Sequence, residues 1–171
     1  MRRRVVRRGP RKRAVWVNIP FGSVAFTESS GMQALLVPED WEAQFTGLAN
    51  ERAVLRAVVG EITIQQTVAG TLGTTAFWSI FMGGNDMPAS PAFTTTGLSD
   101  IDILRCGSFG TQSTVSATSN LYSIASRPID IRTKRKITSR DTVYIAGQYG
   151  ADAASPAAVL GGLLRFLVAR D

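Results

Sequence analysis

Apolar and polar residues alternate with a period of two along much of the chain, the pattern of strands with one covered and one wet face. It is clearest over 129–137, where Ile129, Ile131, Thr133, Arg135 and Ile137 form one face and Asp130, Arg132, Lys134 and Lys136 the other. The segment 54–68 begins as a doubly apolar run, Val54-Leu55 and Val58-Val59, and becomes alternating at Ile62 and Ile64. That change predicts a long strand covered on both sides only in its first half. Further strands are predicted over 15–19, 24–27, 33–37, 75–82, 101–105, 121–125, 142–146 and 163–169, about eight to ten in all. Turn chemistry separates them at Gly70, Gly73, Gly83-Gly84-Asn85-Asp86, Ser139-Arg140-Asp141 and Gly161-Gly162. Pro38-Glu39-Asp40-Trp41 predicts one short helix, with a proline and acids in the first turn and Trp41, Phe45 and Leu48 on one face. A half turn is predicted over 156–160. Residues 89–120 are rich in Ser, Thr and Gly and are expected to form long surface loops around the strand at 101–105.

Many short strands, one helix and no cofactor motif specify an all-β antiparallel sandwich, and two four-stranded sheets closed as an eight-stranded jelly roll fit this strand count. An immunoglobulin-like sandwich competes, but its Cys-Trp-Cys spacing is absent. The length of 171 residues suits one domain plus a tail, and 44% hydrophobic with 19% charged residues can bury a real core.

Charge divides the chain more sharply than pattern does. Residues 1–13 contain Arg2, Arg3, Arg4, Arg7, Arg8, Arg11, Lys12 and Arg13, eight cations with no acid. The remaining 158 residues then hold 19 − 8 = 11 basic and 13 acidic groups, a net charge of −2. A near-neutral domain over 14–171 therefore carries a cationic arm over 1–13, and the isoelectric point near 10.2 belongs to the arm. With only Val5 and Val6 as aliphatic content the arm cannot collapse alone and is expected to be disordered or extended. Its seven arginines to one lysine favour bidentate contacts with phosphate, hence nucleic acid over a membrane surface. The same run suits a solubilising tail or a signal for a host import carrier.

Histidine is absent and Cys106 is the single cysteine, which removes Ser-His-Asp and Cys-His nucleophile systems, histidine metal sites, internal disulfides and CxxC pairs. Carboxylates at Asp100, Asp102, Asp130 and Asp141 have no supporting motif for catalysis, so neither an enzyme nor a cofactor is expected. Glu39, Asp40 and Glu42, or Asp100 and Asp102, could hold Ca²⁺ between subunits, but first-turn acids complement the helix dipole and an Asp pair beside a strand reads as a solvated turn. No metal site is assigned. Cys106 reads as a small buried apolar group. Asn18, Pro20 and Gly22 break the stretch 14–26 as a secretory signal, and no uncharged apolar run approaches the roughly 18 residues of a membrane span. A soluble, full-length protein is expected.

A disordered arginine arm fused to a neutral jelly roll resembles the capsid proteins of small icosahedral viruses. Three strand patterns extend the likeness: Val54-Leu55-Arg56-Ala57-Val58-Val59-Gly60, the segment 129–137, and Leu163-Leu164-Arg165. They are similar to strands in capsid proteins of circular single-stranded DNA viruses, and more loosely to those of small RNA and satellite viruses. The resemblance implies a structural protein of the virion, present in the host nucleus or cytoplasm before assembly. It also implies a self-assembling T=1 shell of about 60 copies, with roughly 480 arm charges facing a packaged genome. Single-stranded DNA is favoured over RNA. The alternative is a nonviral nucleic-acid-binding β-domain, a chaperone or ribosome-associated protein, which would carry basic or aromatic residues on the folded body.

Two features of the body bear on that choice. Arg132, Lys134 and Lys136 are a second candidate nucleic-acid cluster, or a solvated strand face with lysine blunting an edge. Arg135 falls on the apolar side and is expected to pair with a carboxylate or reach an interface. Trp16 is the candidate for a stacked base, or, within Val15-Trp16-Val17, a core or interface residue. Shell contacts are expected from the long loops and from apolar residues at strand edges.

Overall fold

The computed structural model describes residues 14–26, 31–42, 45, 52–66, 75–85, 87, 101–110, 124–149 and 158–170. Eight strands run in chain order as β1 (Ala14–Phe26), β2 (Gly31–Leu36), β3 (Ala53–Gln66), β4 (Thr75–Gly84), β5 (Asp102–Gly110), β6 (Ile124–Ile137), β7 (Asp141–Tyr149) and β8 (Ala158–Arg170), with helix α1 (Pro38–Glu42) between β2 and β3. They form two four-stranded antiparallel sheets, β1-β8-β3-β6 (sheet A) and β2-β7-β4-β5 (sheet B).

The pairing is nested: β4 with β5, β3 with β6, β2 with β7 and β1 with β8. This is one long four-layered hairpin whose tip lies between β4 and β5. Wrapping that ribbon on itself brings β8 beside β3 and β7 beside β4, which completes the two sheets. The result is the jelly roll expected from the strand count. Leu55, Ile62, Ile80, Phe109, Ile145, Leu160, Leu164, Phe166 and Val168 are buried between the sheets in one apolar cluster.

Sandwich edges explain the positions of two prolines inside strands. Pro20 lies in β1 and Pro128 in β6, the two outer strands of sheet A, where a missing N–H need cost no ladder bond. Both strands therefore run through segments that read as breaks: 15–19 and 24–27 belong to one strand as far as Phe26, and 129–137 is joined to the end of 121–125.

At Gly60 and Gly162 the backbone adopts φ of 150° and 153°, outside the range L side chains ordinarily occupy. A Cβ on Gly60 would run into the carbonyl oxygen of Leu163, and one on Gly162 into that of Glu61. The register pairs Gly60 with Leu164 and Ile62 with Gly162, so β3 and β8 approach each other here with no side chain between them. A register shift in β1 between Phe21 and Val24 lies at the same level of sheet A. Gly161-Gly162 is thus not the expected turn. It lies inside β8, where the chain must bend without leaving the sheet. The predicted half turn over 156–160 is corrected likewise, because Ala158 already begins β8.

The doubly apolar start of β3 has a specific cause. Arg56 sits at a register shift between Leu55 and Ala57 on both neighbouring strands, so the inward phase passes from Leu55 to Val58. Val54 and Ala57, on the opposite face, are nevertheless buried, whereas Glu61 and Gln65 farther along are exposed. Double cover over the first half only is therefore observed. Helix α1 forms where predicted and buries Trp41, whose ring meets Phe45 edge-on at 6.5 Å. Leu48 and the arm lie outside the described residues.

Candidate nucleic-acid interface

Cross-strand register fixes what the outer face of sheet A presents, because paired residues project to one side. One row reads Trp16, Leu167, Ala57, Arg132; the next reads Asn18, Arg165, Val59, Asp130. A third, at the end where β1 begins, reads Ala14, Ala169, Val54, Lys136, and a fourth reads Pro20, Leu163, Glu61, Pro128. Chain ends 147 residues apart are joined here: Arg165 Nε donates to Asn18 Oδ1 at 3.1 Å. The Arg165 guanidinium carbon lies 4.9 Å from the Trp16 ring centroid. Trp16 is 39% exposed, which excludes the core reading.

The second candidate cluster is partly spent on contacts within the protein. Arg132 pairs with Asp130 at 2.9 Å, both side chains mostly exposed, a contact worth well under about 1 kcal/mol in water. Lys134 and Lys136 are exposed on the same strand. Arg135 meets the expectation of a carboxylate partner, Asp102 at 2.8 Å. That pair joins β6 of sheet A to β5 of sheet B, and farther along the same seam Arg127 of β6 lies 5.6 Å from the centroid of the Phe109 ring of β5. Two arginines thus close one open side of the sandwich. Arg2, Arg3, Arg4, Arg7, Arg8, Arg11, Lys12 and Arg13 lie outside the described residues, and the arm joins the body at Ala14, two positions before Trp16.

Sheet B presents a different outer face. Phe81 stacks on Tyr144 at 5.5 Å, and both are buried with Ala146 in a small second cluster flanked by Met32, Met87 and Ile101. The Tyr144 hydroxyl donates to the Gly84 carbonyl at 2.7 Å. Asn85 ties that strand end to the β6–β7 turn, donating to Ser139 O and accepting from Thr142 Oγ1. Toward the free edge formed by β5 the cover ends: Phe77 and Ile103 are 44% and 41% exposed. They border a depression of about 380 Å³ that includes Ser79 and Cys106, and none of the described residues lining it is charged. Cys106 is exposed, not buried as expected, because it projects outward opposite Ser79 on this edge strand.

Two of the remaining acidic candidates, Asp40 and Asp141, have structural partners, whereas Glu42 Oε1 is buried without a hydrogen-bond partner among the described residues. Asp40 Oδ2 accepts from Val37 N at 3.0 Å, and Asp141 Oδ2 accepts from both Thr138 N and Thr138 Oγ1 at 2.8 Å. Among the described residues no group of three or more Cys, Asp or Glu converges as a metal site. Asp100 lies outside the described residues.

Sequence reasoning missed the role of Arg165 because its partners, Trp16 and Asn18, come from the opposite end of the chain. Periodicity places each residue on a face of its own strand and says nothing about which strand lies alongside.

No protein-family model matches the chain, and no curated protein matches it in sequence. Among solved structures it is similar to that of Desmodium yellow mottle tymovirus (14% identity, covering 93% of this chain and 89% of that one, TM-score 0.34). Turnip yellow mosaic virus gives 17% identity over 94% and 85%, with a TM-score of 0.33. The Gt strain of infectious bursal disease virus gives 14% identity and a TM-score of 0.38, and there the match spans 92% of this chain but only 32% of the other. At these values the overlaps concern shape alone. The jelly-roll assignment rests on strand order and register.

Proposed function

We propose that the protein is the structural subunit of a small icosahedral virion, assembling into a closed shell and packaging single-stranded nucleic acid through its arginine arm. The observation that carries this reading is the partition of charge upon a nested jelly roll, with eight cations in 1–13 and a body of net charge −2. A body of that charge is not drawn to a polyanion as a whole, so it can tile a surface while the arm alone neutralises phosphate. The neutral apolar depression at Phe77 and Ile103, on the free edge of sheet B, fits a second copy of the chain. About 60 copies, the simplest closed shell, would direct the arms to one interior, and single-stranded DNA is the favoured genome. Before assembly the same arm would suit a nuclear import carrier.

One observation favours a second reading, a nonviral binding domain: Trp16, Arg165, Arg132 and Lys136 share an outer face of the folded body. Assembly separates the two. Full chain purified without nuclease is expected to form particles holding nuclease-resistant nucleic acid. Phe77→Asp with Ile103→Asp places charge at two exposed positions, which costs the isolated subunit about 1 kcal/mol or less while blocking a dry contact. That variant is expected to give a folded subunit with no nuclease-resistant nucleic acid. Particles from the variant indistinguishable from wild type would remove this interface from the account, and wild-type protein that never assembles would favour the second reading.

A further inference from the structure

We infer that Trp16 and Arg165, on the outer face of sheet A, form a base-stacking site for single-stranded nucleic acid, distinct in chemistry from the phosphate-binding arm. The inference rests on the reading that this protein binds a single strand, and it names what the folded body contributes. Three observations carry it. The chain has three tryptophans, and Trp41 and Trp78 are 2% and 4% exposed, whereas Trp16 stands 39% exposed on a strand face. Leaving an indole in water forgoes the burial its size would otherwise bring.

What lies against that indole is a cation. Arg165 sits over the ring at 4.9 Å, and its Nε is held by Asn18, so the guanidinium is oriented before any ligand arrives. With the guanidinium over one face of the indole, a base can stack on the opposite face or on the guanidinium plane itself, and the cation can meet the phosphate that follows. Neither group reads sequence, because every base has a π-face.

The third observation is charge and continuity. Register places Arg165, Arg132 and Lys136 on this face with Asp130 and Glu61, and Lys134 shares the exposed side of β6. Even with Arg132 paired to Asp130, four cations stand against two acids where the body as a whole is net acidic. The face also adjoins the arm: β1 starts at Ala14, directly after the eight cations. A strand held by the arm is thereby delivered to Trp16. Among the described residues that line the depression at Phe77 and Ile103 none is charged, which suits it to protein instead.

The test uses full-length protein and two probes, an oligothymidine of about 12 nucleotides and an abasic sugar-phosphate strand of equal length, titrated by tryptophan fluorescence and anisotropy. Because the other two indoles are buried, quenching reports on Trp16. Wild type is expected to bind the thymidine strand about tenfold more tightly than the abasic one, with quenching only by the former. Trp16→Ala should lose that tenfold preference and keep the salt dependence of binding, while Trp16→Phe should retain most of it. Equal affinity of wild type for both probes, with salt dependence intact, overturns the stacking site and leaves the arm's role standing. Failure of wild type to bind either probe at low salt overturns both. If Trp16→Ala blocks assembly but leaves the probe preference unchanged, the residue is a subunit contact and the inference is wrong. The comparison of probes on wild type needs no variant to fold.

Discussion

Deletion of residues 2–13 is expected to abolish nucleic-acid packaging while leaving the sandwich folded. The eight cations precede the described residues, and the described part of β1 begins at Ala14, so the β1–β8 ladder from Ala14 onward is kept. Binding to a single strand weakens with salt by about 0.7 in log–log slope per phosphate contact, and eight contacts would give a slope near −5.6. Across a fourfold rise in salt that slope is worth a factor on the order of 10³ in affinity. The truncated chain, with a net charge of −2, should show a nearly flat salt dependence and a circular dichroism spectrum like that of wild type. A truncated chain with the original nucleic-acid content and slope would move the binding site to the body and end the division of labour proposed above.

Gly60→Ala and Gly162→Ala are expected to be the most damaging single substitutions in the sheet. Each places a Cβ against a backbone carbonyl oxygen of the adjoining strand, at a φ that L residues rarely adopt. Backbone cannot swing away as a side-chain tip can, so β3 and β8 must separate at the centre of sheet A. A cost of about 3 kcal/mol or more follows, a large part of the stability of a domain this size. Gly161→Ala is the control: a Cβ there meets Phe21 O at 3.5 Å, ordinary contact, and no positive φ is involved. Urea denaturation should show a large drop in midpoint for Gly162→Ala and a small change for its neighbour Gly161→Ala. Equal midpoints for the two would show that β3 and β8 can part freely at this point.

Much of the fold is legible because alternation on an antiparallel strand is a direct record of which side faces the core. Ile129, Ile131 and Ile137 are buried and Asp130, Arg132, Lys134 and Lys136 exposed, as their pattern requires. Arg135 shows how far such reasoning extends. A cation on the apolar side needs a partner, and Asp102 supplies one across the seam between sheets. Glycine pairs are ambiguous in sequence, since the freedom that suits Gly83-Gly84 to a strand end suits Gly161-Gly162 to a position within a strand. Only the close approach of β3 to β8 distinguishes them. Cys106 is exposed against expectation because its small size is equally compatible with a core, and the edge position of β5 cannot be seen from its own residues. The Trp16–Arg165–Asn18 arrangement needed the pairing of β1 with β8, which joins the two ends of the ribbon.

The central claim is that this chain closes a shell around a nucleic acid, and sedimentation velocity of the full-length protein tests it most directly. Absorbance is followed in both the nucleic-acid and protein bands, at low and high salt. About 60 copies of an 18.4 kDa chain weigh roughly 1.1 MDa, so the account predicts a boundary above that mass with excess nucleic-acid absorbance. A single species of one or two subunits at every salt concentration, binding added oligonucleotide but never enclosing it, would contradict the account and leave a jelly-roll domain that binds nucleic acid without forming a shell.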